Sequence, residues 1–244
     1  MYSNKMKRIF TILIIGFITL MTVGAKAQVK SYFGFFGGLS VPQGDFAATS
    51  YDNNKAGFAK KGITFGLDGA VYLYKNLGLG ATIAFNDQGQ MSYNDVSSIA
   101  AGYTATFAAD QGTVTAVGRY HYATFLLGPQ YSFTFGQFII DLRASGGILK
   151  VYSTPAITSQ LTGVAEQSKI FFQRSASATV LGYGGNLGLR YKLSDNVFLT
   201  LRGNYVNSQG PSITNDERTS NNGRLVTKQP ITALQTTFGL SFGL

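Results

Sequence analysis

The chain has 244 residues, no cysteine and a formal charge of +9, which excludes disulfides, thiolate metal sites and a cysteine nucleophile. Only 13% of its residues are charged, against about a quarter in soluble domains, while it carries 30 Gly, 19 Phe and 14 Tyr. A water-soluble surface is normally coated with Lys and Glu, so something other than water is expected to cover much of this one.

The first element is a targeting segment, residues 1–27. Lys5, Lys7 and Arg8 give a positive start, Ile9 to Val23 an apolar run, and Ala25-Lys26-Ala27 a cleavage site of the A-x-A type. The run is 15 residues long, short of the roughly 20 that a membrane-crossing helix needs. The mature chain is expected to be residues 28–244, starting at Gln28, and to carry no lipid anchor, because no cysteine follows the cleavage site. Four of the 20 basic residues, Lys5, Lys7, Arg8 and Lys26, leave with the leader, so 16 face 11 acidic ones. No Lys/Arg run remains to mark a nucleic-acid surface.

From Tyr32 onward the pattern has period 2, the mark of half-buried strands, with no sustained helical stripe. Eight strands are predicted: Tyr32 to Val41, Gly62 to Tyr74, Leu77 to Asn86, Arg119 to Thr134, Gln137 to Val151, Ala176 to Leu193, Val197 to Asn207 and Ile231 to Leu244. The connections alternate in length. Lys75-Asn76, Phe135-Gly136 and Ser194-Asp195-Asn196 are tight turns, whereas Pro42 to Lys61, Asp87 to Gly118, Tyr152 to Ser175 and Ser208 to Pro230 are long loops. This alternation predicts an all-β fold: an eight-stranded antiparallel up-and-down transmembrane β-barrel with short periplasmic turns and long extracellular loops. An even strand count puts both termini in the periplasm.

The second strand sets Ile63, Phe65, Leu67, Val71 and Leu73 against Thr64, Gly66, Asp68, Ala70 and Tyr72. The seventh sets Val197, Leu199, Leu201 and Tyr205 against Phe198, Thr200, Arg202 and Asn204. Alternation alone does not distinguish membrane from water, but polar rows of Gly, Ala, Ser, Thr and Asn suit a narrow filled lumen. The charges on those rows, Asp68, Asp141, Arg143, Arg190 and Arg202, are expected to pair in a low-dielectric interior and to block it. Tyr74, Phe133, Phe135, Phe138, Tyr191 and Phe242 fit an aromatic girdle on the turn side. Unpaired backbone is costly in hydrocarbon, so the first and last strands must pair.

Gly38-Leu39-Ser40-Val41-Pro42-Gln43-Gly44-Asp45-Phe46 resembles the end of the first strand in the small outer-membrane β-barrel domains common in Bacteroidetes, which are OmpX-like, OmpA-like and PorT-like. The ending Phe238-Gly239-Leu240-Ser241-Phe242-Gly243-Leu244 resembles the last-strand signal read by the barrel assembly machinery, although that signal usually ends in Phe. The resemblance implies a Gram-negative cell outer membrane and this fold, with roles that range from envelope stability to adhesion and accessory work in complexes. The partners it implies are outer-membrane lipids and lipopolysaccharide, the assembly machinery during insertion, and other outer-membrane proteins.

The single histidine, His121, shares the parity of the lipid-facing Ala123, Phe125 and Leu127. With Arg119 it is read as a lipopolysaccharide contact; the alternative is a general base at the outer leaflet, as in the lipid A deacylases, which pair a His with a Ser. No serine lies two residues away on its face, and no acid partner is evident. Gly182-Tyr183-Gly184-Gly185-Asn186-Leu187-Gly188 lies within a strand and relieves crowding rather than cradling phosphate. Asp216-Glu217-Arg218 and Asn221-Asn222 lack the spacing of a calcium loop. In the loop Asp87 to Gly118, exposed apolar residues including Ile99, Tyr103 and Phe107 are read as a partner contact, against the alternative of local packing over the barrel mouth. No catalytic, cofactor-binding or metal residue is assigned. The expectation is a non-enzymatic accessory or envelope-stabilising barrel acting through its loops, with an outer-leaflet lipid-modifying enzyme or a small diffusion pore as alternatives.

Overall fold

The computed structural model describes residues 29–164, 167–215, 224 and 226–244. The expected leader and the stretches Asp216-Glu217-Arg218 and Asn221-Asn222 lie outside the described residues. Eight long strands form one closed antiparallel barrel: β1 (Tyr32–Pro42), β2 (Gly62–Tyr74), β3 (Leu77–Gln88), β5 (His121–Phe135), β6 (Phe138–Ser153), β9 (Ala178–Lys192), β10 (Val197–Ser208) and β11 (Ile231–Gly243). Each pairs with its neighbour in the chain, and β1 closes on β11 from Tyr32↔Gly243 to Pro42↔Ala233. Closure leaves no free edge along that seam, which is what a strand pair in hydrocarbon requires. One end of the barrel carries the tight turns and the other the long connections.

Alternation decides which row faces in. Arg190, Asp141 and Gln130 are wholly buried, while Phe35, Leu187 and Phe238 on the outer rows are 55%, 57% and 57% exposed. Two apolar layers close the lumen. Phe46, Tyr120, Tyr122, Leu149, Val151 and Ile231 cluster at the loop end, and Val29, Tyr72, Ile139 and Phe198 at the turn end. Glycine has a defined use on the inner rows: a Cβ at Gly80 would run into the Arg143 guanidinium, and one at Gly182 into Leu149.

Two of the expected loops hold structure of their own. The segment Asp87 to Gly118, read as a loop, contains helix α1 (Tyr93–Phe107) and strand β4 (Gln111–Val117). The segment Tyr152 to Ser175 contains β7 (Ala156–Val164) and β8 (Gln167–Gln173), and these form a second sheet in the order β4-β7-β8. Together they make a cap at the loop end. The helix begins because Ser92 and Asp95 form a capping box: the Asp95 N–H donates to Ser92 Oγ (3.4 Å) and the Ser92 N–H to Asp95 Oδ2 (2.7 Å). It stops where Ala108 takes a left-handed conformation, φ 48°.

Ile99, Tyr103 and Phe107, read as a contact surface, are instead the stripe that this helix packs inward. Their spacing of four puts them on one face, where Ile99 and Tyr103 are buried with Val114, Ile157, Leu161 and Phe171 and Phe107 packs against that cluster. Phe171 stacks on Tyr103 at 5.2 Å and on Phe107 at 4.8 Å between ring centroids. The cap therefore has an apolar core distinct from the lumen.

Burial works against an ionised Asp95, but Lys60 Nζ at 2.7 Å and the Ser92 donors outweigh it and hold its carboxyl below the usual carboxylate range. A depressed folded-state pKa gives stability that is present above the unfolded value of about 3.9 and lost as pH falls through the folded one. Hydrogen-exchange protection of α1 is expected to be flat from about pH 7 to 5 and to drop only below about pH 4. Ser92→Ala should weaken it at neutral pH by about 1 kcal/mol.

Candidate functional site

The lumen is the first place where charge gathers. Asp68 on β2 accepts from Arg143 Nη1 at 2.8 Å and Nη2 at 3.1 Å, from Tyr32 Oη at 2.8 Å and from Thr82 Oγ1 at 2.6 Å. It also pairs with Arg202 Nη1. Asp141 on β6 accepts two parallel bonds from Arg190, Nε at 2.7 Å and Nη2 at 2.8 Å, and a third from Ser132 Oγ at 2.6 Å. All five charged residues read from the sequence thus meet inside the barrel. The pairs are bidentate at Arg143 and Arg190, the arrangement that best offsets the cost of drying two ions.

Uncharged residues complete the network. Tyr32 Oη receives Arg202 Nη2 at 2.9 Å and Arg143 Nη2 at 3.1 Å, and its ring lies 4.0 Å under the Arg190 guanidinium. Gln130 Oε1 accepts from Arg143 Nε at 2.8 Å, and Gln130 Nε2 donates to Tyr72 Oη at 2.7 Å. Tyr32, Tyr72, Gln130 and Ser132 went unnamed as network members in the sequence, although each lies on an inner row and Tyr72 shares a row with Asp68. Two lumen cavities, one beside Asp68, Thr200 and Arg202 and one beside Thr82, Asn186 and Asn204, measure about 10 Å³ each. That is room for about one water apiece, far from an open passage.

The loop-end rim is the second place. Asp87 on β3, His121 on β5 and Ser153 on β6 are register neighbours. His121 Nε2 and Arg119 Nε lie 3.1 Å and 3.2 Å from Asp87 Oδ1. The acid partner that the sequence did not reveal is therefore Asp87, whose position at the end of a strand was hidden by its assignment to a loop. The Ser153 hydroxyl donates to the Arg119 carbonyl at 2.8 Å. Its proton is thus held away from the imidazole.

Among the described residues no group of three or more His, Cys, Asp or Glu side chains is placed to hold a metal. No helix among them is long and apolar enough to cross a membrane. The molecule is thus a closed eight-stranded barrel with an apolar outer wall, a filled polar lumen and a structured cap.

No family model matches the chain, and no curated protein matches it in sequence. Among solved structures it is similar to Neisserial surface protein A, at 10% identity over 90% of this chain and 100% of that one, TM-score 0.47. It is also similar to Ail, the attachment invasion locus protein of Yersinia pestis, at 13% identity over 88% and 97%, TM-score 0.41. A third is the outer membrane protein OprG from Pseudomonas aeruginosa, at 11% identity over 89% and 97%, TM-score 0.43.

The paired lumen predicts that a second substitution rescues the first. Arg190→Met alone leaves Asp141 buried without its bidentate partner and should cost about 3–5 kcal/mol. Arg190→Met with Asp141→Leu should recover most of that loss. Urea unfolding of the liposome-reconstituted barrel, followed by tyrosine fluorescence, measures both.

Proposed function

We propose that this chain is a non-enzymatic integral outer-membrane β-barrel that presents its cap outside the cell, as an accessory or surface-interaction subunit. One observation carries the reading: the apolar rows of all eight barrel strands point away from the axis and stay exposed, as at Phe65, Leu79, Phe125, Leu142, Leu201 and Phe238. Such a wall is stable only against hydrocarbon. The wholly buried charges on the inside point the same way, because a soluble barrel would place its polar rows in water.

In this reading residues 1–27 direct export, the turns at Lys75-Asn76 and Gly136-Gln137 and both termini are periplasmic, and the cap faces the medium. The network and the apolar layers plug the lumen, so the barrel acts through its surfaces. Partner contact falls to exposed cap side chains such as Tyr93, Val117 and Ile170, while Arg119 and His121 on the rim face lipopolysaccharide. Membership in the Bacteroidetes-type barrels belongs to the same proposal and rests on the two end motifs.

A rim hydrolase is the second reading, favoured by Asp87 beside His121 and opposed by the bond that ties up the Ser153 hydroxyl. His121→Ala with lipid A mass spectrometry separates the two. An unchanged lipid pattern removes the enzyme.

The chain has no native cysteine, so single labels are clean. On intact cells a membrane-impermeant maleimide should label Thr115→Cys on the cap and spare Gln137→Cys in the turn; the reverse pattern would sink the topology. Planar-bilayer recordings of the purified barrel should show no channel.

A further inference from the structure

At the loop end the barrel wall opens between β9 and β10. β9 stays paired with β6 up to Val151↔Ala178, but its pairing with β10 ends at Asn207↔Tyr183. Among the described residues, 178–182 therefore have one edge without a strand partner. The departure of β10 is built rather than frayed: Ser208 Oγ donates to the Leu181 carbonyl at 2.7 Å and accepts from the Gly210 N–H at 3.1 Å, and Gly210 supplies the left-handed φ of 70°. Between the diverging walls lies a groove of about 640 Å³, with Thr179, Leu181 and Tyr183 on one side and Gln209, Ser212 and Lys228 on the other. That volume falls within the usual range for small-ligand sites.

The two walls differ in chemistry. Leu181 and Tyr183 are 81% and 61% exposed, and Leu181 ends the cross-strand row Ile83, Phe125, Ile148, Leu181 on the outer face. The groove is thus continuous with the apolar wall. On its other side Lys228 Nζ is held by Gln209 Oε1 at 2.8 Å, and no carboxylate lines the groove among the described residues. A second lysine, Lys150, lies outward on β6 across from Thr179.

We infer that this groove binds one anionic phospholipid of the surrounding leaflet, an acyl chain lying along Leu181 and Tyr183 and the phosphate meeting Lys228. The inference rests on the membrane-spanning reading. A soluble anion has no use for the exposed Leu181 and Tyr183 side chains, and an uncharged apolar guest has none for the lysine.

The test uses the full mature chain in nanodiscs of phosphatidylcholine doped with phosphatidylglycerol, released for native mass spectrometry. One phosphatidylglycerol should remain per barrel. Lys228→Gln should lower its retention about tenfold, the value of one charge-assisted contact. Ser212→Trp, at an exposed lining position, should fill the groove and abolish retention, and Lys61→Gln, at an exposed site outside the groove, should change nothing. A heat-modifiable band on gels confirms that each variant is folded. Equal retention in all variants, retention of diacylglycerol as strong as that of phosphatidylglycerol, or a dimer in place of the lipid complex overturns the groove. So does a barrel that floats with liposomes yet keeps no lipid. A chain that does not float with liposomes refutes the membrane reading itself.

Discussion

The seam between β1 and β11 is the constraint on which the rest depends. Eleven residue pairs, from Tyr32↔Gly243 to Pro42↔Ala233, join the first strand of the chain to the last. Without them the sheet has two open edges, and every unpaired N–H and C=O facing lipid costs several kcal/mol. With them the curvature is fixed, the inner rows are forced into a space that side chains just fill, and polar groups there must find one another. The charge pairs, the tyrosine hub and the glycines that make room for guanidiniums are all answers to that enclosure.

Most of the barrel was legible from period 2 alone. The fourth predicted strand, Arg119 to Thr134, is observed as His121–Phe135, and the sixth, Ala176 to Leu193, as Ala178–Lys192. The five lumen charges were readable for the same reason: a charge on a row of Gly, Ser and Thr can only point inward once the opposite row is Leu and Phe. Which acid meets which base was not readable, because it depends on the stagger between strands far apart in the chain, as for Arg143 and Asp68 or Arg202 and Asp68.

The cap was missed for a physical reason. Helix α1 is made largely of Ala, Ser, Thr and Gly, so its apolar stripe has little contrast with its other faces. Two signals were nevertheless present, the Ser92/Asp95 spacing and the interval of four between Ile99, Tyr103 and Phe107. Taken for apolar character alone, these three residues predict an exposed contact surface; taken for their spacing, they predict the buried stripe that the helix forms. Asp87 shows the same failure in small: one residue of extra strand puts an acid beside His121.

Tyr32 has a consequence for assembly. It sits on the first strand, yet its hydroxyl joins Asp68 on β2, Arg143 on β6 and Arg202 on β10. Its ring also backs Arg190 on β9. A half-built sheet that lacks β1 would hold three guanidiniums and two carboxylates around a hole where the phenol belongs. Such contacts, distant along the chain, form late. The hub therefore works as a latch: docking of β1 completes both the hydrogen-bonded wall and the polar network within it, so an unclosed barrel is marked by its own unsatisfied interior.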